Sequence, residues 1–243
     1  MVKKLASPRV IAFDGDDTLW RNEDQFTVSQ ERFRAILGAH VALDRATIDT
    51  RLLETERRNL ARYGYGVKSF VLSMIETAIE VTDGAIPATD IQILLKLGQQ
   101  MLAHPIELLS GARETVAALR ARNHEVWLIT KGDLFDQESK IARSGLAPLF
   151  DRVEIVSEKN PALYSRLLAL HGVAVSEFVM VGNTLRSDVL PVVALGAHAF
   201  HIPYHVTWSH ETVEPAVAEL SSHIQLRDIT ELPAALQRLT RES

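Results

Sequence analysis

Apolar residues follow two different periods along the chain, and the change of period marks its organisation. Val10-Ile11-Ala12-Phe13 is an unbroken apolar run that stops at Asp14-Gly15-Asp16-Asp17-Thr18. A run of this length, rich in β-branched and aromatic residues and ended by turn formers, predicts a buried strand. Between about residues 21 and 109 the spacing becomes helical. Phe33, Ile36, Leu37 and Val41 recur on one face, as do Val71, Leu72, Ile75, Ala78 and Ile79. Ile91, Leu94, Leu95 and Leu102 follow less regularly, and Gly64-Tyr65-Gly66 and Asp83 to Pro87 supply the breaks. From Gly111 onward the two patterns alternate. Strands are predicted at 126–129, 153–156, 178–181 and 197–202, with helices at 114–122, 137–144, 161–171 and 188–195. Such alternation predicts an α/β fold: a Rossmann-like parallel sheet with helices on both faces. The expected domains are a core of residues 1–20 and 110–243 and an inserted, all-helical domain of residues 21–109.

Composition narrows the function classes. At 243 residues, with 47% hydrophobic and 23% charged positions, the chain has the make-up of an ordinary globular protein. Its net charge is −5 and no basic run exceeds a pair, which argues against nucleic acid as a partner. Cysteine is absent, so disulfides, thiolate metal sites and a cysteine nucleophile are excluded. No apolar run approaches the roughly 18 residues of a membrane span. Lys3 and Lys4 stand near the start, but Arg9 and Asp14 interrupt any signal-peptide core. The expectation is a cytoplasmic monomer or homodimer without membrane or nucleic-acid partners.

Ligands of open parallel sheets bind outside the carboxyl ends of the strands. The residues predicted there are Asp14 and Asp16, Thr130 and Lys131, Lys159, then Asn183 and Asp188. Asp14 and Asp16 are two apart, so an extended backbone would send both carboxylates to one side. Crowded carboxylates call for a cation, and oxygen donors suit a hard one such as Mg²⁺. The Thr130 hydroxyl and the Lys159 ammonium together suit a phosphate oxygen.

These residues resemble the motifs of the haloacid dehalogenase-like hydrolases. The Asp-x-Asp-x-Thr motif of that family appears as Asp14-Gly15-Asp16-Asp17-Thr18, its Thr or Ser at the next core strand as Thr130, and its lysine as Lys159. The usual Gly-Asp-x-x-x-x-Asp matches Gly182-Asn183-Thr184-Leu185-Arg186-Ser187-Asp188, with Asn183 replacing the commoner Asp. The helical insertion after the first motif resembles that family's C1-type cap. The resemblance implies a phosphomonoester hydrolase: Asp14 as nucleophile, Asp16 as acid and base, Thr130 and Lys159 on the phosphate, and Mg²⁺ on Asp14, Asp188, Asn183 and the Asp16 carbonyl. The expected partner is a small phosphorylated substrate. Asp16 favours ester chemistry over dehalogenation, because halide leaves without a proton and alkoxide does not. A phosphomutase would use the same residues, and a phospho-acceptor domain shares the acidic cluster, the Thr and the Lys.

Several positions stay open at this level. Lys131 reads either as a phosphate- or substrate-binding cation or as a solvated lysine, and Asp17 as a turn cap. His198, His201, His205 and His210 fit no standard zinc spacing, and Tyr204, His205 and Trp208 are candidates for the crevice mouth. Trp20, Arg21, Arg57, Arg58, Arg62 and Tyr63 read either as substrate contacts or as solvated faces and packing, and no motif selects among them.

Overall fold

The computed structural model describes residues 8–209, 211–214 and 223–241. After β1 (Val10–Phe13) come four helices, α1 (Glu23–Gly38), α2 (Arg45–Tyr63), α3 (Val67–Val81) and α4 (Ala88–Ala103). Alternation then begins with α5 (Ala112–Ala121), β2 (Glu125–Lys131), α6 (Leu134–Ser144), β3 (Arg152–Val156), α7 (Pro161–Leu170) and β4 (Phe178–Gly182). It ends with α8 (Leu190–Ala194), β5 (His198–His201), β6 (Ile224–Gln225) and α9 (Leu232–Arg241). Two compact units result: the described parts of Met1–Glu23, Ile106–Lys131 and Ser139–Ser243, and a helical unit of Asp24–Pro105 with Gly132–Glu138.

In the first unit the six strands form one sheet in the order β3-β2-β1-β4-β5-β6, every neighbouring pair parallel. Strand alternation sorts the apolar residues onto two faces. Ile11, Phe13, Val126, Leu128, Val179 and Val181 pack with Val116 and Leu119 of α5, Ile141 of α6 and Leu232 and Leu236 of α9. Val10, Ala12, Trp127, Ile129, Phe178 and Met180 pack with Leu163, Tyr164 and Leu167 of α7 and Val192 of α8. Every residue of β1 is buried, as expected of a central strand covered on both sides. This is the α/β sheet that the sequence pattern predicts.

Two local differences have simple causes. β6 has only two residues, too few to produce a periodic signal. The helix expected over 188–195 opens instead with a wide π-type turn at Leu185–Val189, followed by α8 with Pro191 in its first turn. That turn sets the position of Asp188.

The helical unit has its own core, with Phe33 and Leu37 of α1, Ile48 and Leu52 of α2, Val67, Phe70, Val71, Met74 and Ala78 of α3, and Leu94, Leu97 and Met101 of α4. Leu72, Ile79 and Leu95, expected on the apolar stripes, are exposed instead. Gly98 provides the close approach of α4 to α3: a Cβ there would meet the Val71 side chain at 2.5 Å. Asp44 caps α2 by accepting the Thr47 N–H at 2.7 Å.

Candidate active site

Strand order reverses at β1, which has β2 on one side and β4 on the other. This switch point is where parallel sheets open a crevice. The Asp14 N–H extends the β1–β4 ladder by one bond, to Val181 O at 2.9 Å. The chain then turns. Gly15 O accepts from the N–H groups of Thr18, Leu19 and Trp20, at 3.3, 2.8 and 3.3 Å. That turn begins at Gly15, and within it Asp16 forms an isolated bridge with Trp20. The two carboxylates bind different cations.

Asp14 belongs to a buried cluster built from three strand ends. Lys159 Nζ lies 2.5 Å from Asp14 Oδ1 and 2.7 Å from Asp188 Oδ1. The Lys159 and Asp188 side chains are each only 1% exposed. Lys159 is placed by the start of α7, where Asn160 caps Leu163 N–H at 2.9 Å and Pro161 occupies the first turn. Asp188 Oδ2 accepts the N–H and the hydroxyl of Thr184, both at 3.0 Å. Gly182 makes room for it, since a Cβ there would overlap the Asp188 carboxyl. Thr18 donates its hydroxyl to Asp14 Oδ2 or Asn183 Oδ1, at 3.2 and 3.3 Å, and so joins the first and fourth motifs.

One ammonium serves two carboxylates, so the cluster holds an excess of negative charge. Burial pushes the Asp14 carboxyl upward; Lys159 opposes this, while Asp188 and Asp16 add to it. Burial alone would lower the Lys159 ammonium, but Asp14 and Asp188 outweigh it and raise its pKa. The donors available to a cation are oxygens: two carboxylates and the Asn183 amide. Among the described residues, no group of three or more His, Cys, Asp or Glu side chains is arranged to hold a metal. Two carboxylates completed by water and a phosphate group are nevertheless the usual protein share of a Mg²⁺ site. The donor set therefore fits that ion.

Asp16 sits on the other face of the sheet end. Both its oxygens accept from Lys140 Nζ, at 3.1 and 3.0 Å, and Oδ1 also accepts from Trp20 Nε1 at 2.7 Å. Trp20, open between substrate contact and packing, is fully buried in the cluster that contains Phe13 and Leu128. A Cβ on Gly15 would come 2.6 Å from the Trp20 ring and 3.4 Å from Thr130 Oγ1. Gly15 thus lets the turn lie against Trp20 and next to the buried Thr130 hydroxyl.

Lys131 follows Thr130 directly, but strand alternation sends the two side chains to opposite faces. The Lys131 ammonium binds Ser187 Oγ at 3.0 Å and a carboxylate oxygen of Glu211, with Glu158 at 3.5 Å. Ser187 in turn donates to Glu211 Oε2 at 2.6 Å. Burial alone would raise the Glu211 carboxyl, but Lys131 and Ser187 outweigh it and hold it below the usual range.

Asp17, at φ 60°, accepts the N–H groups of Asn22 and Glu23 at 2.8 and 3.1 Å, which makes it the turn cap expected. Burial, reinforced by Asp16, pushes its carboxyl up to about 7. The histidines do not converge on one point. His201 Nε2 bonds Asn183 O at 3.0 Å, and burial lowers both His201 and His198. The His205 ring lies tilted against Tyr204, whose hydroxyl meets Arg21 at 3.2 Å, and His210 lies outside the described residues. Arg58 is held by Glu76 and Glu80 within the helical unit.

Residues 8–196 match the family model of haloacid dehalogenase-like hydrolases. The chain belongs to this family. A haloacid dehalogenase-like family hydrolase from Xanthomonas campestris is 42% identical in sequence, with a TM-score of 0.85 over 100% of this chain and 98% of that one. A glyceraldehyde 3-phosphate phosphatase of Pyrococcus furiosus is 28% identical, the match covering 55% of this chain and 55% of the relative. The pyrimidine 5'-nucleotidase PynA of Streptococcus pneumoniae is 26% identical over 54% of this chain and 57% of that protein. The chain thus spans little more than half the length of these two curated relatives. Among the described residues, no helix of the chain is long and apolar enough to cross a membrane.

Four residues of the site escape the strand-end reading. Thr18 stands inside the first motif but reads as a turn residue, and Ser187 is overshadowed by Asp188. Lys140 occupies an amphipathic helix, where its spacing from Gln137 and Ile141 carries no sign of Asp16. Glu211 lies in a long segment after β5 with no periodicity at all.

Proposed function

We propose that the protein is a Mg²⁺-dependent phosphomonoesterase acting on a small phosphorylated metabolite through an aspartyl-phosphate intermediate. In this reading residues 21–109 are a C1-type cap domain inserted into the core of residues 1–20 and 110–243, and the site of action is cytoplasmic. The observation that carries it is the pairing of Asp14 with Lys159 and Asp188 at the switch point, together with a second carboxylate, Asp16, held separately. A dehalogenase has no task for that second carboxylate.

Asp14 would attack phosphorus in line while the ester oxygen leaves. Asp14, Asp188, Asn183 and the Asp16 carbonyl would hold Mg²⁺, which when bound supplies positive charge against the transferring phosphoryl oxygens. Lys159 adds an ammonium on the same side, and the Thr130 hydroxyl holds a phosphoryl oxygen next to Gly15. Asp16 gives a proton to the leaving alkoxide, then takes one from the water that attacks the aspartyl phosphate. Lys131 serves phosphate only by leaving Glu211, so it is the least engaged of these groups.

Release of inorganic phosphate from p-nitrophenyl phosphate tests the reading. Turnover is expected with Mg²⁺, and loss of about a thousandfold or more with EDTA or with Asp14→Asn, since the nucleophile is gone. Turnover that survives both would overturn it. A panel of sugar phosphates, nucleotides and phosphorylated acids then identifies the substrate.

A further inference from the structure

Lys140 is buried at 8% exposure, next in sequence to Ile141, which α6 packs into the sheet core. Its ammonium lies within hydrogen-bond distance of both Asp16 oxygens and of Asn22 Oδ1, the last at 2.7 Å. Lysine is among the residue types least often buried, and a buried one is normally paired. The carboxylate it pairs with is fixed from a second direction by Trp20 Nε1. Trp20 cannot shift, because the core surrounds it and Gly15 lies against its ring. Asp16 therefore accepts from two donors of fixed position and gives no proton in either bond. Those two donors hold the carboxylate in one orientation.

We infer that Lys140 is a positioning residue for the hydrolytic half of the reaction, fixing Asp16 where it takes a proton from the attacking water. The inference rests on the phosphomonoesterase reading above. In that half the water oxygen bonds to phosphorus and its proton passes to Asp16. The bond from phosphorus to the Asp14 oxygen breaks, releasing phosphate and restoring the Asp14 carboxylate. The first half depends less on Lys140 when the leaving group needs no proton, which is the case for p-nitrophenolate.

Rapid mixing of Lys140→Met with p-nitrophenyl phosphate and Mg²⁺ separates the two halves. A burst of about one p-nitrophenolate per chain is expected, formed at the wild-type rate. Steady turnover then falls about a hundredfold, within the usual range for losing general base assistance. Acid quenching should trap phosphorylated chain. Steady turnover within about threefold of wild type would overturn the inference, as would burst and steady phases declining together, the mark of general damage to the site. If circular dichroism shows that Lys140→Met does not fold, Trp20→Phe removes the other donor and is expected to show the same split, about tenfold. Loss of the split in that variant would count equally against the inference. A wild-type chain that forms no p-nitrophenolate overturns the underlying reading and this inference with it. A wild type that turns over while the variants show no split overturns this inference alone.

Discussion

In the sheet unit the buried ion pairs join residues far apart in the chain. Lys159 reaches Asp14 across 145 positions, Lys140 reaches Asp16 across 124 and Lys131 reaches Glu211 across 80. In the helical unit a buried group of neutral side chains comes from two consecutive helices: Thr55 and Asn59 of α2, with Ser69, Ser73 and Thr77 of α3. Asn59 donates to Ser73 Oγ at 3.2 Å and to Glu76 at 2.8 Å. Its Oδ1, and Thr77 Oγ1, find no hydrogen-bond partner among the described residues. Burying charge is costly unless it is paired, so the sheet unit needs its distant partners in register. Small hydroxyls pack between helices at little cost and need less accuracy. The difference separates a place where polarity is concentrated for chemistry from one where it fills space.

The sharpest way to break this contrast is Lys159→Met. It leaves Asp14 and Asp188 buried together without their shared cation, at a cost of about 4 kcal/mol. Urea unfolding in EDTA measures it. A loss below about 1 kcal/mol would mean that the cluster is not held by charge pairing.

Glu211→Gln comes next, at about 3 kcal/mol, because Lys131 is left without its main counter-ion. The sign with pH follows from the lowered Glu211 carboxyl. Its contribution is fully present above the unfolded carboxylate value of about 4.3 and is lost as pH falls through the folded value. The gap between wild type and variant should therefore be constant near neutrality and close in acid. Pairing Glu211→Leu with Lys131→Met should recover much of the loss, which a double-mutant cycle detects.

The smallest effect is expected in the helical unit. Thr77→Val keeps the shape and removes an unpartnered hydroxyl, so it should leave stability unchanged or raise it by up to about 1 kcal/mol. A drop in thermal midpoint would show that this hydroxyl is engaged, and the contrast between the units would narrow.

How much was legible depends on distance along the chain. Asp14, Thr130, Lys159 and Asp188 each follow a short apolar run, so the parallel-sheet pattern alone brings them to one edge. Asn160-Pro161 announces the start of α7 and so anchors Lys159 locally. Lys131 reads as Thr130's companion only because the two are adjacent; pleating separates them, and Glu211 claims the ammonium. Lys140 looks like any helix-surface lysine until α6 is docked on the sheet, where its partner turns out to be Asp16.

The sequence by itself determined the alternation of strands and helices, the all-helical insertion and the set of side chains at the strand ends. Those follow from short-range periodicity and turn chemistry, which each segment carries within itself. Only the tertiary structure decided which cation serves which carboxylate: Lys159 for Asp14 and Asp188, Lys140 for Asp16, Lys131 for Glu211. Pairing of this kind depends on distances of a few ångströms between groups scores of residues apart, and these exist only once strand order and helix docking are fixed.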